Sequence, residues 1–347
     1  MKIKSWLAVA ACASMLASPA LAQEKKVRMN LASAYPGSLV LLGEAAHSFI
    51  KHVSRLSNGT LEIKFNEPGA IVPGLQAIDA VSQGSVDMAY SASAFFARSD
   101  TAFTVFNSLP FGPGIPEFMA WMFNGGGLEL EREMYAKHNV VNFPCNVIPP
   151  EGAGWFRKEI NSVDDLKGLK MRFLGFGGKV MEKLGVSTQL TAPGDIFQAL
   201  QLGTIDAAEF SLPQMDQKLG FHQVAKYYYF PGWHQQASWQ GIYINKAKYD
   251  ALSDQHKAAI EGACALTIKE VIAEGEASQG KAIAEMRDKH GVQIRTWSPE
   301  ILAAMEKAWK EVVEEESAKN PNFKRVYEHL AEFRKNYAIW KEMGYLK

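Results

Sequence analysis

Apolar and polar positions alternate from Val27 to Leu31, and after the turn signal Tyr35-Pro36-Gly37 the spacing lengthens to Leu41, Leu42, Ala45, Ala46, Phe49, Val53 and Leu56. Alternation is the period of a half-buried strand and the longer spacing that of an amphipathic helix, so a strand passes into a helix. Asn58-Gly59 ends that helix, and Leu61, Ile63 and Phe65 alternate as a second strand. Short strands interleaved with helices predict an α/β fold.

The run Ala80-Val81-Ser82-Gln83-Gly84-Ser85-Val86-Asp87-Met88-Ala89 reappears as Ala199-Leu200-Gln201-Leu202-Gly203-Thr204-Ile205-Asp206-Ala207-Ala208. Each copy reads as a helix, a glycine stop and a buried strand, and the match in order and residue type predicts two related lobes. A crossover strand begins within Gly152–Lys158, and Leu166–Phe173 continues the second lobe. Two lobes joined by crossing strands make a hinged cleft. The expected division is lobe 1 over 23–151, completed by C-terminal segments, lobe 2 over 152–250, and a helical region over 251–347 packing across both. That last region opens on a cap at Leu252-Ser253-Asp254. A short strand runs from Val292 to Ile294, a second cap stands at Ser298-Pro299-Glu300, and Asn320-Pro321 breaks the pattern before a last helix ending near Trp340.

The first residues carry Lys2 and Lys4 ahead of an apolar run from Trp6 to Leu16, with small residues at Ala20-Leu21-Ala22. This is a secretory signal with cleavage after Ala22, and it places the mature chain in the periplasm. Val9-Ala10-Ala11-Cys12 has the small residues of a lipid-attachment box, but too short an apolar segment precedes Cys12. Beyond the signal, Cys145 and Cys264 have no metal or redox spacing; two buried free thiols are expected, with one disulfide as the alternative. Lys and Arg together number 37, as do Asp and Glu, and no basic run occurs, which argues against nucleic acid as a partner.

Enzyme signatures are missing: there is no H-E-x-x-H helix, no G-x-S-x-G turn and no phosphate loop. Gly175-Phe176-Gly177-Gly178 imitates a nucleotide loop, yet Val180 stands where the third glycine belongs, so no nucleotide is expected. Arg172 ends a strand beside this glycine-rich helix start, where a guanidinium fork at a cleft mouth suits a carboxylate; an ordinary salt bridge is the competing reading. Asp206-Ala207-Ala208-Glu209-Phe210, followed by the aromatic run Tyr227–Trp233 and by His234, Gln235 and Gln236, fits an oxygen-rich cation site roofed by rings, or simply core packing.

At these residues the chain resembles the periplasmic binding subunits of tripartite ATP-independent periplasmic (TRAP) transporters, DctP type, in the branch that binds 2-oxo acids. Gly154–Ile160, Leu166–Phe173, Gly203–Glu209 and Leu219–Tyr229 with Pro231-Gly232-Trp233 carry the likeness. The resemblance implies a two-lobed α/β binding protein with crossing hinge strands and long C-terminal helices, not an enzyme. It implies that Arg172 binds the ligand carboxylate and that Na+ or Ca2+ bridges ligand and protein. The cation would be held by Glu209, the Phe210 carbonyl, Glu151 and Gln236. Phe96, Trp155, His234 and Gln235 complete the expected ligand contacts beside Arg172, Glu151 and Glu209. The implied partners are a small organic acid, the transporter's membrane subunits and a second copy bound through the C-terminal helices. A 2-oxo or 2-hydroxy monocarboxylate is the expected ligand; sulfonates, aromatic acids, dicarboxylates and zwitterions are alternatives, and a periplasmic enzyme acting on organic acids is the rival class. Two departures stand out. Glu151 replaces the branch's usual glutamine, and Phe210 its tryptophan. The extra charge of Glu151 either strengthens a divalent cation site or faces an amine on the ligand.

Overall fold

The computed structural model describes residues 25–346, so the signal segment and the cut after Ala22 lie outside the described residues. The chain opens with β1 (Val27–Ser33), α1 (Gly43–Leu56), β2 (Leu61–Asn66), α2 (Ala77–Ser82) and β3 (Met88–Ser91). Three helices, α3 (Phe103–Asn107), α4 (Ile115–Asn124) and α5 (Gly127–Ala136), lead to β4 (Val140–Ile148). The middle of the chain holds β5 (Gly154–Phe156), β6 (Lys170–Arg172), α6 (Gly175–Lys183), β7 (Ser187–Gln189), α7 (Ile196–Leu202), β8 (Ala207–Ala208), α8 (Pro213–Lys218) and β9 (Tyr227–Phe230). It closes with β10 (Ser238–Asn245), α9 (Lys246–Asp250), α10 (Asp254–His290), β11 (Gln293–Thr296), α11 (Pro299–Lys319) and α12 (Pro321–Gly344).

Among the described residues these strands form two sheets, ordered β2-β1-β3-β10-β4 and β11-β9-β5-β8-β6-β7. The repeat is structural. Gly84 and Gly203 both take a left-handed conformation, with φ of 77° and 74°. Ser85 and Val86 donate to the Ala80 carbonyl as Thr204 and Ile205 do to that of Ala199. Asp87 Oδ2 accepts from the amide of Asn30 on β1, and Asp206 Oδ2 from that of Lys170 on β6, both at 2.9 Å. One helix-glycine-strand unit thus builds the middle strand of the first sheet and an inner strand of the second.

One boundary differs from expectation. Residues 238–245, assigned by sequence to the second lobe, form β10 and pair antiparallel with β3 and β4 of the first sheet. β11 in turn returns to the second sheet beside β9. The chain therefore crosses between sheets at 149–153 and again at 231–237. An apolar strand carries no mark of which sheet it joins, and its pairing is settled by packing.

α10, 37 residues and about 55 Å long, packs on α1 and β4 of the first lobe and on α8 and β11 of the second. Ser253 Oγ accepts from the His256 amide at its start, and Ser298 Oγ from that of Ile301 at the start of α11, as the sequence predicts. α11 packs on α6, and α12 on α3, α4 and α5, so the two helices, which also pack on each other, tie the lobes together. The expectation of free thiols is corrected: Cys145 on β4 and Cys264 on α10 form a disulfide across 119 residues. Their spacing in sequence is silent on the contact because helix and strand come together only through the tertiary fold.

Candidate functional site

Arg172 ends β6 between β7 and β8 and is 1% exposed. Its Nη1 donates to the Glu209 carbonyl oxygen at 2.6 Å and to Glu209 Oε2 at 2.7 Å, while Nε faces the Thr191 carbonyl at 3.4 Å. The guanidinium carbon lies 5.4 Å from the centre of the Phe210 ring, a cation–π contact. Both readings of Arg172 are therefore present. It forms a salt bridge, buried rather than exposed, and it also lines a pocket between the lobes.

That pocket encloses about 20 Å³. Tyr35, Phe95, Asn107 and Gln240 face it from the first lobe, and Leu174, Phe210 and Ser211 from the second lobe. Glu151 and Gln235 come from the two crossing connections. The first-lobe contribution was hidden in sequence. Asn107 closes the mostly apolar helix α3, and its side chain donates to the Trp239 carbonyl at 2.6 Å.

The two connections lie against each other. The Glu151 amide donates to the Gln235 carbonyl, and a side chain at Gly232 would place its Cβ 2.2 Å from the Glu151 carbonyl oxygen. Only glycine permits this approach. It brings His234 Nε2 within 3.1 Å of Glu209 Oε1 and 3.5 Å of Glu151 Oε2. Gln235 Nε2 adds a contact to Glu209 Oε1 at 3.3 Å.

Charge within this cluster follows from burial and pairing. Burial raises Glu209, but Arg172 and His234 outweigh it and hold the carboxyl below its ordinary range. Burial dominates at Glu151 and pushes it up, even though His234 pulls the other way. His234 is lowered by burial yet ends above the usual imidazole range because two carboxylates face it. Behind the cluster, burial lifts Asp216 to about 7 despite donors from Trp155 and Tyr228.

Several expected contacts are corrected. Phe96 packs into the first-lobe core, its ring centre 5.2 Å from that of Phe103, and Phe95 faces the pocket instead. Both lie in the 3₁₀ turn Ser93–Phe96, where neighbouring side chains point about a third of a turn apart. Trp155 stacks on Tyr228 at 4.1 Å and donates to Asp216 Oδ2, so it supports the pocket floor without lining it. Gln236 folds back to donate to the Gly232 carbonyl, and Gln235 takes the inward place.

The residues present fit a cation. Glu151 Oε2 is buried and accepts no hydrogen bond, and Glu151, Glu209 and His234 bring donor atoms within 4.8 Å of one another. Glu209 Oε1, Glu151 Oε2 and the oxygen-rich lining would hold it, and its positive charge would balance the carboxylates.

Two lobes, a pocket at their crossing strands and a buried arginine in its wall define a ligand-capturing protein of the hinged kind. The model for bacterial extracellular solute-binding protein family 7, DctP, matches residues 33–320, and the chain belongs to that family. It is 34% identical over 340 residues to the monocarboxylate 2-oxoacid-binding periplasmic protein of Nostoc sp., covering 98% of this chain and 93% of the relative. A TRAP transporter solute-binding protein of Bordetella bronchiseptica is 38% identical with a TM-score of 0.89, covering 91% of this chain and 94% of that one. It is described as a mixed-occupancy dimer with calcium and picolinate in one active site. A periplasmic relative from Pseudoalteromonas atlantica, 31% identical with a TM-score of 0.88 over 92% and 97% of the two chains, holds sodium and pyruvate. The chain is thus a TRAP solute-binding protein of an exported periplasmic family. Such proteins bind small ligands and serve membrane subunits, and these relatives are receptors rather than enzymes.

Proposed function

We propose that the chain captures a small 2-oxo or 2-hydroxy monocarboxylate in the pocket between its lobes and delivers it to the membrane subunits of a TRAP transporter. The observation that carries this is the buried guanidinium of Arg172 in the pocket wall. Nη1 is committed to Glu209 and Nε to the Thr191 carbonyl, which leaves Nη2 to meet the ligand carboxylate. Glu209, the Phe210 carbonyl and Glu151, with Gln235 in the place expected for Gln236, surround a bridging cation. The cation draws the carboxylate and the neighbouring oxygen of the acid into one chelate. Relatives holding calcium with picolinate and sodium with pyruvate support this reading.

Cleavage after Ala22 releases the mature chain to the periplasm. It works there as a homodimer through α12, whose outer face leaves Ile339, Trp340 and Met343 largely exposed. An apolar row on one helix face is what a second copy covers, and the Bordetella relative is described as a dimer.

The test is mass spectrometry of ligand released from gently purified protein, with a thermal-shift panel of small acids. A 2-oxo or 2-hydroxy acid that raises the melting temperature, with no product formed, is expected. Turnover of the acid, or no shift with any acid, would overturn the reading.

A further inference from the structure

The crossing connections bring three side chains of two donor chemistries to one point. Glu209 Oε2 is fixed by Arg172 Nη1 at 2.7 Å and by the Leu174 amide at 3.1 Å, which turns Oε1 toward the second connection. Glu151 Oε2 accepts no hydrogen bond, although the residue is 3% exposed. His234 Nε2 faces both oxygens, at 3.1 and 3.5 Å. Two ligand atoms on a tetrahedral metal at ~2.0 Å stand ~3.3 Å apart, close to both separations that His234 Nε2 makes, and all three donor atoms lie within 4.8 Å of one another.

Distance alone does not distinguish ions, but the nitrogen does. Na+ and Ca2+ take oxygen ligands, whereas imidazole suits Zn2+ and its transition-metal neighbours. The ring is held edge-on to Phe173 at 5.1 Å and to Trp233 at 5.7 Å, so its aim is fixed by packing. Formal charge agrees. Two carboxylates and a monocarboxylate ligand are balanced by Arg172 and one divalent ion with the imidazole neutral, as coordination through Nε2 requires.

We propose that Glu151, Glu209 and His234 form a site for a divalent transition ion such as Zn2+, in preference to Ca2+ or Na+. The solute is then held as a metal chelate, an acid with a second donor atom one carbon from its carboxylate. This rests on the cation-bridged reading above and changes its ion.

The experiment titrates metal-stripped protein with Zn2+, Ca2+ and Co2+, with and without pyruvate, by calorimetry and by Co2+ absorption. Expected are one tight Zn2+ site, about 100-fold stronger than for Ca2+, and Co2+ bands of a nitrogen-containing site. His234→Asn should weaken Zn2+ by roughly 100-fold, leave Ca2+ within a few fold and shift the Co2+ bands. His222 and His290, whose ring centres are 4.4 Å apart, are another pair of imidazoles that could take zinc, so His222→Asn serves as the control and is expected to change nothing. Tighter Ca2+ than Zn2+, or Zn2+ binding indifferent to His234→Asn, would overturn the proposal. If His234→Asn fails to fold, Co2+ bands of an all-oxygen site in the unaltered protein would do the same. Pyruvate binding supported by Ca2+ would in either case leave the capture reading standing, whereas no pyruvate binding with any ion would remove that reading itself.

Discussion

The backbone amide of Glu151 donates to the carbonyl of Gln235 at 3.2 Å, joining the two connections on which the lobes would swing. Both residues also line the pocket. The hinge and part of the site are therefore the same few residues, and a ligand that touches them acts directly on the angle between the lobes.

Asp216 is 1% exposed and receives Trp155 Nε1 at 2.8 Å and the Tyr228 hydroxyl at 3.0 Å on one oxygen. Burial lifts it to about 7, whereas an unfolded aspartate titrates near ~3.9. The folded state thus binds this proton more tightly, and its contribution to stability is lost as pH rises from ~4 through 7. Asp216→Asn removes that dependence. Urea denaturation should show the variant gaining on the unaltered protein by roughly 3–4 kcal/mol between pH 4 and pH 8. An unchanged difference would contradict the assignment.

The Cys145–Cys264 disulfide closes a loop of 119 residues and pins the spanning helix α10 to β4. Cross-linking so long a loop restricts the unfolded chain, and the double change Cys145→Ala with Cys264→Ala should cost about 2–4 kcal/mol in urea denaturation. Equal stability would show that the bridge does not form in solution.

The outer face of α12 should mediate self-association. Light scattering of the purified protein should give twice the chain mass, and Trp340→Glu together with Met343→Glu should return it to the monomer mass. A monomer before any substitution would remove the dimer.

The sequence made the two-lobed α/β plan readable because its strongest signals are local: the strand and helix periods around Val27–Phe65, the serine caps at Ser253 and Ser298, and the repeated helix-glycine-strand unit. Arg172 was legible as a candidate because a strand end beside a helix start fixes where its side chain can go. What stayed hidden was long-range. β10 joins the first sheet, Cys145 meets Cys264, and Phe95 rather than Phe96 faces the pocket. The pairing of His234 with Glu151 was equally invisible, since it arises only where two connections some eighty residues apart are pressed together by Gly232. The extra charge of Glu151 also faces His234 within the protein, a neighbour that the sequence did not reveal.

The most direct measurement is titration calorimetry of pyruvate against the unaltered protein and Arg172→Ala. A charge-assisted contact in a closed pocket contributes roughly 2–4 kcal/mol, so affinity should fall about 30- to 1000-fold. Arg172→Lys, which keeps a charge beside Glu209 and loses the fork, should fall by an intermediate amount and covers the case in which the alanine variant is unstable. Affinity unchanged in a folded variant would contradict the account.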